Sequence, residues 1–167
     1  MLEAGWQPAD RTTFRSSLRI CTSTLFNRAY PTAPVSNLFL WGRRQDLAFE
    51  RAAGKSPRKR HHARFWLSAR LDPAEERPLW LGAATFDRSV GVSRYTGQVT
   101  HHIDADVDAE RDLILRDLDR AGRLARGYKV PGFGKPTRGR NGGGDRYFTD
   151  GMVAVAVLAP EEVAENR

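Results

Sequence analysis

All four histidines of this 167-residue chain fall in two adjacent pairs, His61–His62 and His101–His102. The second pair opens the stretch THHIDADVDAERD, where Asp104, Asp106, Asp108, Glu110 and Asp112 follow. Imidazole nitrogens with carboxylate oxygens form a workable ligand set for zinc, manganese or iron. Neighbouring strand residues point to opposite faces, so one imidazole of each pair readily joins a given site. With a helix beginning near Asp104, Asp104 and Asp108 line one face, as do Asp108 and Asp112. The metal set expected is therefore His62, His101, His102, Asp104 and Asp108. The spacing matches no established metal motif such as HExxH. The acids also have a second reading, because carboxylates at a helix N-terminus cap free amides and complement the dipole. On that reading Asp104 or Asp106 is the N-cap, and Asp112 with Arg116 is an ordinary i,i+4 pair.

Three other stretches carry chemistry-bearing side chains. GKSPRKRHH places cations beside the first histidine pair. Arginine offers paired donors to phosphate oxygens and lysine a point charge, so Arg58, Lys59, Arg60 and Arg64 are expected phosphate ligands. A histidine beside them can protonate a leaving oxygen; a solvated basic loop is the alternative. GRNGGGDRYFTDG holds a glycine run whose successive amides can cradle an anion, flanked by Arg140 and Arg146 as further anion ligands. It is not a Walker loop, since no GK[ST] ends it, and capping a hairpin is its other reading. GRRQDLAF and FDRSVG put Arg43, Gln45, Asp46, Asp87 and Arg88 at the ends of apolar strands. Such triplets rim a pocket or form strand-end salt bridges, which contribute little when exposed. Asp87 is the expected catalytic base. No GxSxG and no local Cys–His signature is present, and the lone Cys21 reads as a packed thiol.

The elements that must position these groups follow from hydrophobic period. TTFRSSLRICTSTLFNRAY, residues 12–30, has apolar residues every three to four positions and predicts a helix. Residues 37–50 read as strand, turn and strand around Gly42. Residues 61–71 alternate, with His61, Ala63, Phe65 and Leu67 on the core side and His62, Arg64, Trp66 and Ser68 on the polar side. Residues 78–93 are apolar on both faces, as in an interior strand. A helical pattern starts at Asp106 and runs through Val107, Ile114, Leu118, Ala121 and Ala125. Residues 127–145 read as a long glycine-rich loop, and residues 146–158 as a short turn and a last strand. The prediction is one α+β domain over 1–167: a mostly antiparallel sheet with two main helices packed on one face.

Composition sets the outer limits. The chain is 40% hydrophobic and 28% charged, a folding rather than a disordered balance. No apolar run is long enough to span a bilayer, and the N-terminus lacks the apolar core of a signal peptide. The chain as given is therefore expected to be soluble. The net charge of +7 points to nucleic acid, an anionic membrane surface or phosphorylated substrates. Nucleic acid ranks last, because no RNP-type aromatic motif or helix-turn-helix pattern accompanies the charge.

The motifs AGWQPAD, APVSNLFLWGRRQDLAFE, SPRKRHHARFW, PLWLGAATFDRSVG, THHIDADVDAERD and GRNGGGDRYFTDG occur in an order that resembles the LssY C-terminal domain family. The resemblance spans essentially the whole chain. It implies a bacterial cell-envelope context, because the domain occurs alone or appended to DedA-like and lipid-phosphate-phosphatase-like membrane modules. Stand-alone relatives carry a hydrophobic anchor before the AGW motif, so this sequence resembles a soluble core or trimmed form. The family supplies no catalytic residues to carry over. Two functions are therefore expected from the residues themselves. One is a metal-dependent hydrolase of phosphate esters or diphosphates, lipid-linked ones included. The other is a non-catalytic module for anionic, phosphate-bearing ligands or lipid head groups at the membrane surface.

Overall fold

A computed structural model describes residues 1–9, 37–54, 59–74, 76–92, 99–132, 137–141 and 144–160. Its centre is a five-stranded antiparallel sheet in the order β1-β4-β5-β6-β7. These strands are β1 (Gln7–Pro8), β4 (Leu47–Ala52), β5 (Arg60–Leu71), β6 (Pro78–Val92) and β7 (Val99–Ile103). Short connections between β4, β5 and β6 make antiparallel pairing the natural outcome. Three two-stranded sheets accompany it: the hairpin of β2 (Phe39–Leu40) with β3 (Arg43–Arg44), the hairpin of β9 (Thr137–Arg140) with β10 (Arg146–Thr149), and the pair of β8 (Leu124–Pro131) with β11 (Met152–Leu158), between which β9 and β10 are inserted.

The described residues contain one helix, α1 (Val107–Arg120). The expected α+β architecture with two helices on one face is thus overturned: the described residues are mostly β, with one short helix. The helix expected over 12–30 lies outside the described residues. Asp106 caps α1, its carboxylate accepting from the Ala109 amide at 3.0 Å. Asp104 supports the entry by accepting from the Asp106 amide. The helix ends where Gly122 adopts φ 66° and Arg123 N–H returns to the Leu118 carbonyl. Ala125, expected on the helix, therefore lies in β8. Asp112 bonds Arg111 and Lys129 rather than Arg116.

The glycine-rich stretch is a second correction, because β8 and β9 run through residues read as loop. Its glycines mark close approach. A Cβ on Gly132 would sit 2.6 Å from the Gly151 carbonyl oxygen, and one on Gly139 would sit 2.8 Å from the Tyr147 hydroxyl.

One face of the sheet carries His61, Ala63 and Phe65 from β5 and receives α1. The helix docks through carboxylates as well as Leu118. Glu110 reaches His61 at 2.9 Å, and Asp117 accepts from Trp6 Nε1 at 2.9 Å and from Arg51 at 2.5 Å. Trp6 is fully buried, with the His61 ring edge-on and the Arg51 guanidinium over its face. On the far side of α1, Arg111 donates to Asp108, Asp112, Asp150 and the Met152 carbonyl, tying the helix to β10 and β11. Among the described residues no helix is long and apolar enough to cross a membrane.

Candidate functional site

The face of the sheet opposite α1 holds the chemistry. In the β4–β5 register Glu50 faces His62, and in the β5–β6 register Arg60 faces Asp87. Residues two apart on a strand share a face, so Glu50, Arg60, His62, Arg64, Trp66 and Asp87 all belong to this one. The sequence pattern predicts a polar His62–Arg64 side and a core His61 side. Burial shows that the His62 side is covered as well as the His61 side, where Ala63 is fully buried: His62 is 2% exposed, Arg60 4%, Arg64 6%, Asp87 3% and Glu50 0%. Alternation correctly separates the two faces but does not say that both are covered.

Within this centre Arg60 donates to Glu50 Oε1 at 3.0 Å. His62 lies between two carboxylates, with Nδ1 3.5 Å from Asp87 Oδ2 and Nε2 4.0 Å from Glu50 Oε2. Burial pushes the Arg64 guanidinium below its ordinary value, and the charge of Asp87 opposes that shift. Charges taken this far from water are costly unless balanced. Among the described residues of this centre, two guanidinium groups stand with two carboxylates. A group of this kind can bind anionic oxygens through the arginines and move a proton through the imidazole.

The expected site residues divide among several places. Arg60, His62, Arg64 and Asp87 converge in the buried centre. Lys59 is exposed beside it, and Arg58 lies outside the described residues. His102 is elsewhere: its Nδ1 donates to Asp145 Oδ1 at 2.8 Å, while Asp145 Oδ2 accepts from the Ile103 amide. Asp104 approaches Arg88 at 3.5 Å. Asp108 accepts from Arg111, Thr149 and the Asp150 amide. The His101 backbone pairs with Val90, and its side chain lies outside the described residues. Arg140 and Arg146 are exposed and directly opposite each other on β9–β10. Among the described residues no three His, Cys, Asp or Glu side chains are gathered to hold a metal ion.

Glu50 was missed by the sequence reading. Its signal is faint: a lone carboxylate alternating with Ala48 and Ala52 on one side of LAFERA. Asp117 and the partnership of His61 with Glu110 were missed as well, because acidic residues in an amphipathic helix ordinarily face water.

Residues 1–153 match the family model described as the LssY C-terminus. No curated protein and no solved structure is detectably similar to the chain.

Proposed function

The chain belongs to the LssY C-terminus family, and we propose that it hydrolyses phosphate esters or diphosphates at the buried sheet face. The observation that carries this reading is the convergence of Arg60, His62, Arg64 and Asp87 with Glu50. The arginines would neutralise phosphoryl oxygens. Asp87, on the Nδ1 side, would orient His62 so that Nε2 delivers a proton to the leaving oxygen. Glu50 would draw the proton from the attacking water, whose oxygen bonds to phosphorus as the ester bond breaks. The centre is closed as described, so turnover includes an opening step. A divalent metal (zinc, manganese or iron) would be the other form of this proposal, with His62 and Asp87 as ligands in place of their proton-transfer roles; loss of turnover on chelation and recovery with one metal would support it.

The test is turnover of a panel of phosphomonoesters, phosphodiesters and diphosphates by the wild type, His62→Gln and Asp87→Asn. Turnover is expected to fall at least about a hundredfold in each variant, with thermal unfolding reporting that each is folded. Full turnover in both folded variants would refute the reading.

The non-catalytic alternative has its own observation. Arg140 and Arg146 form a directly opposed, exposed like-charge pair, which weakens a hairpin by itself and suits an anionic ligand at the cell envelope. Binding of inorganic phosphate or an anionic lipid head group that is lost in Arg140→Glu/Arg146→Glu, without any turnover, would favour it.

A further inference from the structure

The β2–β3 hairpin is joined by Trp41 and Gly42 alone, and both have positive φ, 51° and 75°. Two left-handed residues in a two-residue loop match the type I′ geometry, whose usual occupants are Asn and Gly. A tryptophan there is strained, since its Cβ crowds the following carbonyl. That strained residue is also 85% exposed, and Phe39 beside it is 62% exposed. Arg44, the cross-strand partner of Phe39, is exposed too.

The base of the hairpin is held firmly. Gln45 Oε1 accepts from the Leu38 amide at 2.8 Å, Trp66 Nε1 donates to the Arg43 carbonyl at 3.1 Å, and Asp46 accepts from Arg43 and the Leu67 amide. A clamped stem with a strained, projecting indole indicates a display element rather than a loose loop.

We propose that this hairpin docks on an anionic bilayer surface, with Trp41 and Phe39 at the acyl–headgroup boundary and Arg44 on lipid phosphate. Indole rings favour that boundary, and arginine pairs with phosphate there. The net charge of +7 draws the chain to such a surface. A two-residue turn between two-residue strands offers little area, far below the roughly 800 Å² per partner of a stable protein interface. A bilayer needs no such area, only a few interfacial side chains with matching charge. The inference stands apart from the buried centre and holds whether or not that centre turns over substrate.

The experiment is co-sedimentation of the full chain with vesicles of phosphatidylcholine alone and of phosphatidylcholine and phosphatidylglycerol in equal parts. Wild type, Trp41→Asn and Arg44→Glu are compared, with tryptophan emission and thermal unfolding recorded. Trp41→Asn installs the preferred Asn–Gly turn, so its unfolding temperature should hold or rise while partitioning falls at least about tenfold. Arg44→Glu should lose binding to the anionic vesicles, and wild-type binding should weaken with salt. Equal partitioning by wild type and Trp41→Asn, or no wild-type binding to either vesicle, would overturn the proposal. So would a wild-type dimer that Trp41→Asn dissociates, since it would assign the hairpin to a second copy.

Discussion

Glu50, Arg60, His62 and Asp87 stand where a sheet residue ordinarily carries valine or leucine, and their mutual distances keep them there. Removing one member leaves the others buried with an unbalanced charge, which costs about 3–5 kcal/mol where measured in other proteins. Glu50→Met and Arg60→Met are each expected to destabilise the fold by about 3 kcal/mol. The double variant should cost less than the sum, because no lone charge of that pair remains. Urea unfolding of the four-member cycle checks this; strict additivity would show that the 3.0 Å contact contributes nothing of its own. At this scale the sequence marked four of the five members, since RKRHHAR and FDR advertise themselves by charge density. It could not mark their burial. A strand of alternating residues looks the same whichever side is covered, and charge biases the guess toward water.

α1 was legible at its start and illegible on its docking side. The Asp-rich entry signals a capped helix, and Asp106 is the cap. Asp106→Ala should destabilise the fold by about 1 kcal/mol, measured by chemical denaturation; no change would mean that Asp104 takes over the role. Glu110 and Asp117 lie seven residues apart, two helical turns, and so share a stripe. That stripe meets His61, Arg51 and Trp6 rather than water. Asp117→Leu should therefore release Trp6, seen as a red shift of tryptophan emission, whereas Asp117→Asn retains an acceptor for the indole and should shift it less. The hairpins were harder to read because glycine carries two meanings. At Gly132 and Gly139 it permits neighbouring backbone or ring atoms to come close. The same residue type in a basic, proline-containing run reads as loop.

Across the whole molecule, acid-sensitive contacts hold the helix to its surroundings. The hydrogen bond from Arg111, aided by the Met152 amide, keeps the Asp150 carboxyl well below its ordinary value of 3.8. Burial works to raise the Asp112 carboxyl, but Arg111 and Lys129 outweigh it and hold it low as well. A folded-state value below the unfolded one stabilises the fold above the unfolded value and ceases to do so as pH falls through the folded value. Wild-type stability should thus decline below about pH 4. Arg111→Met, expected to cost about 2 kcal/mol at neutral pH, should show a shallower decline over the same range. Parallel acid-unfolding curves would show that these contacts do not set the acid limit. The bulge in β6 has a comparable reach. Asp87 pairs with Ile103 and Ser89 with His102, so Arg88 is an extra residue in the ladder. It acts as a phase shifter: the two-residue rhythm of β6 restarts behind it, which puts Asp87 toward the buried centre and Ser89 with His102 on the other side. Shortening the strand by Arg88 alone would leave both halves in phase with β7. Losing any residue between Leu81 and Phe86 would instead invert one half, turning Asp87 out of the centre or exchanging the two surfaces of the molecule.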